Sequence, residues 1–298
     1  MGVTYALLAM VSFAANIIIT RYALVRLPVE AGFFIVLATN ILFPSALFAL
    51  ELGTRGAAWT WDWRGAGMFA IAGVVGTFLG RRMLFDTVRL LGPSRASVFH
   101  STAPGIALVA AWVLADERLG LYELGLMAIV WLGLWFTQPR AGATAGSISL
   151  TQANVRMGML VGFLTVAGFG IGNVLRGLGM RIWDEAIFGT LLSALAALLC
   201  QVLATRDWGK IGALLRGADR NTVWLFVASG VTTTLGSIFV ALSMNHMEIA
   251  LAVLVVHTTP LVIFPVSVFI LKNREELTPR TVLGALMVLA GIAFLAFR

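Results

Sequence analysis

One cysteine, Cys200, is all the chain carries, so no intrachain disulfide can form and the redox compartment is not encoded. Charge is equally scarce. Only 12% of residues are Asp, Glu, Lys or Arg, about half the roughly 25% of ordinary soluble domains. Histidine is limited to three residues, and no His-Glu-x-x-His or similar ligand spacing occurs, so neither a metal nor another cofactor is expected. Long polar connections are absent as well, which leaves no room for a soluble catalytic domain, a receptor domain or a basic module for nucleic acid. What is present is apolar. Hydrophobic residues make up 59% of the chain and the mean hydropathy is +0.94, which excludes a soluble fold and sets the bilayer as solvent.

Ten charge-poor runs stand out: 1–20, 31–50, 65–80, 96–115, 124–139, 157–175, 186–205, 221–247, 249–271 and 281–297. A spanning helix needs about 20 mainly apolar residues, and the shorter runs reach that length if Arg81, Arg82 and Glu123 lie at or inside helix ends. The expectation is an all-α integral membrane protein of ten transmembrane helices, multi-pass in the cytoplasmic (plasma) membrane. The first run lacks a basic n-region and a cleavage site and reads as a retained helix rather than a signal peptide. The longest connections are 51–64, 140–156 and 206–220, and the middle one, "RAGATAGSISLTQANVR", has linker composition. It divides the chain into 1–140, a linker 141–156, and 157–298.

The halves resemble each other. Residues 72–100 align without a gap on 229–257, pairing Gly73 with Gly230, Val74 with Val231, Thr77 with Thr234, Val98 with Val255 and His100 with His257. Arg21 and Glu30 are spaced as Arg176 and Glu185 are, bracketing the turn after the first helix of each half. Five helices per half is an odd number, so two copies in series enter the membrane from opposite sides. Such inverted repeats place a substrate site near the midplane between them.

"HSTAP" (100–104) and "HTTP" (257–260) occupy the fourth helix of each half and would face each other across the two-fold axis. Pro104 cannot donate to the His100 carbonyl, nor Pro260 to that of Val256, so each helix exposes a backbone acceptor beside its hydroxyls. These groups need partners or a wet cavity. Two readings stand: a cavity lining, or Ser and Thr capping their own carbonyls while the histidines bond across helices. The candidate substrate-binding residues are His100, Ser101, Thr102, His257, Thr258 and Thr259, with Pro104 and Pro260 breaking the helices.

"STAPGIALVAAWVLADERLGLYELGLMAIVWLGLWF" (101–136) resembles the hallmark of EamA-type carriers in the drug/metabolite transporter superfamily: a proline in the fourth helix, a Glu-Arg-Leu turn and a glycine-containing fifth helix. "TTPLVIFPVSVFILKNREELTPRTVLGALMVLAGIAFLAF" (258–297) is similar, with Arg-Glu-Glu-Leu at the turn. The start, "LLAMVSFAANIIITRYAL" (7–24), is similar too, with Ser12-Phe13 where the family commonly has a Trp. The resemblance covers essentially the whole chain. It implies a 5+5 alternating-access carrier, often an exporter, of small metabolites such as amino acids or other anionic or zwitterionic solutes. The family's cargoes are too varied for the motifs to name one.

Intramembrane charges are functional candidates by default. Arg81 and Arg82 sit close to the far end of the third run and point about 100° apart, so one of them at most faces a given cavity. Arg81 either grips a substrate carboxylate or snorkels to headgroups beside Asp86. Asn16 and Asn173, at similar depths in the first helix of each half, bond either a substrate or a neighbouring helix. Glu51, Asp86, Glu123 and Glu248 all fall near run ends, so a buried carboxylate relay for proton coupling is disfavoured. Facilitated diffusion or exchange is the simpler expectation.

An intramembrane enzyme acting on a lipid-soluble substrate is the rival class. His100-Ser101 would be its nucleophile and base, but adjacent helical residues diverge and no buried acid orients the His. No enzymatic activity is expected. "GFGIGNVLRGLG" (168–179) reads as close helix packing, and Trp59, Trp61, Trp63, Trp208 and Trp224 as an interfacial belt. The net charge of +7 suits lipid headgroups, and the expected partners are the bilayer and a small-molecule substrate. Orientation is contested: the resemblance places both termini in the cytoplasm, whereas the Lys/Arg distribution, counting Arg176 among loop residues, favours both outside.

Overall fold

A computed structural model describes residues 1–55, 59–91, 96, 99, 102–137, 152–266 and 278–296. Among these the chain is α-helical, with α1 (Gly2–Leu24), α2 (Val29–Arg55), α3 (Trp63–Leu91), α4 (Ala103–Ala115), α5 (Leu121–Thr137), α6 (Gln152–Ile182), α7 (Ala186–Ala204), α8 (Trp208–Gly217), α9 (Arg220–Met244), α10 (Ile249–Val256), α11 (Pro260–Pro265) and α12 (Pro279–Ala296). Every expected run overlaps a helix. Six helices, α1, α2, α3, α6, α7 and α9, are long and apolar enough to cross a membrane, while α4, α5, the α10–α11 stretch and α12 are shorter apolar segments.

Three element boundaries differ from those expected. The third run does not stop at residue 80, because α3 continues to Leu91 through a π-helical segment, Gly73–Gly80. The arginines at 81 and 82 therefore sit well inside a helix. The 206–220 connection holds a polar helix, α8, started by Asp207, whose Oδ1 accepts the Lys210 amide at 2.9 Å. Helix α6 begins at Gln152, inside the expected linker.

The most extensive contacts between helices map onto one another when the halves are exchanged. Helix α1 packs on α9 as α6 packs on α3; α2 packs on α9 as α7 packs on α3; α1 packs on α10 as α6 packs on α4. The remaining major pairs, α2 with α7, α4 with α10 and α5 with α12, map onto themselves. Side chains repeat the pattern. The Phe69 ring lies over Gly189, where a Cβ would come within 2.5 Å of it, and the Phe226 ring lies over Gly32, where the distance would be 2.2 Å. Phe69 and Phe226 are separated by the offset of 157 that aligns the halves.

Helices α3 and α6 run antiparallel, since Gly65 abuts Trp183, Gly76 abuts Gly172 and Leu91 abuts Gly158. Close approach there depends on glycine at both crossing positions. The centre of the bundle is α10, "IALAVLVV", whose eight residues are all buried. A helix apolar all round has no wet face to offer. It packs among Ala6 and Ala9 of α1 and Ala107, Ala110 and Ala111 of α4, whose small side chains let the backbones close in.

Helix α9 starts at an N-cap, Asp219, whose carboxylate accepts the Thr222 amide at 3.2 Å and the Thr222 hydroxyl. The Thr222 hydroxyl above all holds the Asp219 carboxyl below its ordinary range. The sign follows: a depressed carboxylate stabilises the fold above the unfolded-state pKa and loses that contribution as pH falls through the folded value. The expected result is a lower unfolding temperature for Asp219→Ala at pH 7, with the gap to the parent closing under strongly acid conditions. Equal gaps at both pH values would contradict it.

Candidate functional site

A cavity of about 550 Å³ lies between the halves, lined by α1, α2, α3 and Leu134 of α5 on one side and by α6, α7, α9, α10 and α11 on the other. It reaches Leu24 and Val29 at the α1–α2 turn and extends inward to Arg176, Val240 and Val256. That volume falls in the range of small-molecule sites.

The π segment sets one wall. Thr77, Arg81, Leu84 and Phe85 share the cavity face of α3, while Arg82 is exposed on another, as the angle between neighbouring helical residues requires. The Arg81 guanidinium rests over the Phe33 ring, 5.1 Å from its centroid. With ten helical residues beyond it, it does not lie at the helix end.

The fourth helix of the second half breaks where its proline requires. Helix α10 stops at Val256, α11 starts at Pro260, and His257, Thr258 and Thr259 form the turn. His257, Thr259 and Pro260 line the cavity. The Val256 carbonyl that Pro260 cannot serve accepts instead from the Thr259 hydroxyl at 2.7 Å, and His257 Nδ1 lies 2.8 Å from the Val253 carbonyl. Thr258 turns away from the cavity; its buried hydroxyl reaches the Val255 carbonyl at 2.6 Å and Met10 Sδ at 3.0 Å. In this cluster the hydroxyls and the His257 ring bond to carbonyls of their own helix, and the turn borders the cavity.

Thr102 and Pro104 of the first half are placed differently. His100 and Ser101 lie outside the described residues. Thr102 donates to the Phe99 carbonyl at 2.7 Å and lines a separate apolar groove with Trp131 and Phe163. Pro104 is buried near the start of α4, away from the cavity.

Asn16 and Asn173 both line the cavity. Asn16 Nδ2 donates to the Ser229 carbonyl (2.9 Å), Ser229 Oγ (2.8 Å) and Thr233 Oγ1 (2.6 Å), binding α1 to α9. Asn173 Oδ1 accepts from Arg176 Nη1 at 3.0 Å. Arg176 is a site residue the sequence reading missed, having counted it with the loops. It lies within α6, is 8% exposed and lines the cavity, whereas its sequence counterpart Arg21 is exposed. Also missed is a hydroxyl stripe on α9, Ser229, Thr233 and Ser237, with Thr234 beside it; its i, i+4, i+8 spacing was there to be read.

The end remote from the α1–α2 turn is closed by polar contacts between the halves. Glu117, from the Glu-Arg-Leu turn, pairs with Arg181 at the end of α6 and accepts the Ile249 and Ala250 amides at 2.7 and 3.2 Å. Trp183 Nε1 also donates across the halves, to the Thr60 carbonyl at 2.8 Å, and within the second half Asn245 donates to Asp184 at 3.1 Å.

The sequence profile of the EamA-like transporter family matches residues 1–138 and again 156–297. The chain belongs to the EamA-like transporter family. The match falls twice, once on each half, as a duplicated carrier requires. No curated protein matches this EamA-like transporter. A solved crystal structure, described only as that of a protein, matches it with a TM-score of 0.68 and 15% identity, over 99% of this chain and 96% of the other. That likeness shows a shared fold. The protein is a multi-pass integral membrane transporter of the drug/metabolite type.

Proposed function

We propose that this EamA-like transporter is a secondary carrier that moves small metabolites by alternating access, in the export direction its family resemblance implies. The reading takes its ten apolar segments as ten spans, arranged as inverted five-helix repeats over 1–140 and 157–298. The observation that carries it is the cavity shared by both halves, an apolar space with polar side chains from each, reaching toward one end while cross-half contacts seal the other. Asn16, Arg81, Asn173, His257 and Thr259, with Arg176 added, form the binding surface for an anionic or zwitterionic solute. The shorter helices suffice for crossing when their broken ends line protein rather than lipid.

Counterflow in proteoliposomes with labelled amino acids, organic acids and sugars tests it. Saturable uptake is expected for at least one class, with Arg81→Ala or His257→Ala raising the half-saturation concentration about tenfold, the equivalent of about 1.4 kcal/mol. Should no compound move, the carrier reading fails. Single cysteines at Thr60 and Arg206, introduced into a Cys200→Ser background, should label from opposite membrane faces. Labelling from one face would end the inverted arrangement.

A further inference from the structure

If the protein is the carrier proposed above, the charge of its cavity lining selects the cargo. Two guanidinium groups line one cavity, Arg81 from α3 and Arg176 from α6, and no Asp or Glu among the described residues lines it with them. Arg176 is nine-tenths buried. Its Nη1 donates to Asn173, and its Nε finds no acceptor among the described residues. What is left is the Nε–Nη2 edge, with which arginine grips a carboxylate side-on through two parallel hydrogen bonds. The Phe33 ring under Arg81 orients the guanidinium and attracts it, but an aromatic face supplies no counter-charge.

Arginine keeps its proton inside proteins, so the cavity holds two positive charges that the lining does not balance. Charged residues within membrane spans persist where they face a substrate path. A neutral sugar would leave both cations uncompensated. An amino acid would neutralise one and bring an ammonium that has no carboxylate to meet. A dianion balances both. The spacing also favours a ligand with two separated anionic ends: Gly80 packs against Gly168 in the antiparallel α3–α6 pair, and Arg176 lies eight residues beyond Gly168, about 12 Å along the axis at 1.5 Å per residue.

We propose that the cargo is an elongated organic dianion of the dicarboxylate type, one carboxylate held by Arg176 in the depth of the cavity and the other by Arg81 nearer the α1–α2 turn. The Asn173 side chain acts as a positioning residue, turning the free edge of Arg176 toward the cavity.

The test uses a length series of straight-chain dicarboxylates from succinate to sebacate, their half-methyl esters, leucine and glucose. Each is measured as a competitor in counterflow and as a stabiliser of the purified full-length protein against heat. The expected result is at least a tenfold preference for the best dicarboxylate over its half-ester in both assays. Arg176→Gln and Arg81→Gln should each erase that preference, and Arg176→Lys should restore part of it. Half-esters or leucine competing as well as dicarboxylates would overturn the proposal, as would a preference surviving both Gln variants. If leucine or glucose crosses while dicarboxylates neither bind nor cross, the carrier reading stands and the cargo assignment falls. If dicarboxylates stabilise the protein with the stated preference and no solute crosses, the anion site stands and the carrier reading falls. Absence of both binding and transport overturns both.

Discussion

Gly73→Ala should lower the apparent unfolding temperature sharply, with a loss of about 2–3 kcal/mol, near the upper range for overpacking a tight site. A Cβ at residue 73 would lie 2.1 Å from the Ser193 carbonyl oxygen and 2.7 Å from the Ser193 Cα. These are backbone atoms, so nothing can swing aside; α3 and α7 must separate. Separation would also break the bond from Ser193 Oγ to the Phe69 carbonyl, 2.6 Å long and buried. The equivalent change in the other half, Gly230→Ala, meets the Thr39 Cβ at 2.5 Å and should cost a comparable amount. Controls reverse the sign. Gly67 and Gly125 have open space where a Cβ would go, so alanine there gains helix propensity and should be neutral or stabilising by up to about 1 kcal/mol. Heating in detergent with size-exclusion readout separates the two classes; a Gly73→Ala protein as stable as Gly67→Ala would show that the crossing has slack.

The same crossings explain what could and could not be read from the sequence. Gly73 and Gly230 were visible as identical residues of an otherwise weak repeat, because a backbone crossing tolerates no side chain and so keeps its glycine whatever surrounds it. The Phe-over-Gly pairs were hidden, since Phe69 and Gly189 lie 120 positions apart in the chain and nothing local links them. Pro260 announced the break between α10 and α11, because a missing amide is a property of one residue. Which side of that break faces space was not legible: Thr258 and Thr259 are chemically alike, and only the tertiary packing of Met10 against Thr258 distinguishes them. Arg176 was misplaced for a related reason. Its neighbours Arg181, Asp184 and Glu185 make the segment read as a polar turn, yet α6 continues to Ile182 and carries the arginine into the bundle. The divergence of Arg81 from Arg82, by contrast, follows from helical geometry alone and needed no tertiary information.

Glu117→Ala is expected to cost about 3 kcal/mol, the order seen when one member of a buried charge pair is removed. The Glu117 side chain is only 6% exposed, and it serves three partners at once: Arg181 and the first two amides of α10. Those amides have no intrahelical acceptor, and the carboxylate also faces the positive end of the helix dipole. Truncation leaves all of them without it. Glu117→Gln keeps one acceptor oxygen and loses the charge, so its cost should be smaller. Arg181→Gln should be milder again, because Arg181 is partly exposed and the carboxylate retains both amides. The double variant Glu117→Gln/Arg181→Gln should lose less than the sum of the two singles, the non-additivity of residues in one network. Because Glu117 comes from the first half while α10 and Arg181 belong to the second, this carboxylate joins the halves at the sealed end. Weakening it should therefore also change access. In a Cys200→Ser background, a cysteine at buried Ile249 should become reactive to a polar thiol reagent when Glu117 is alanine and stay protected in the parent. A Glu117→Ala protein that keeps its unfolding temperature and leaves that cysteine protected would show that the seal lies elsewhere, in the Asn245–Asp184 contact or around Trp183.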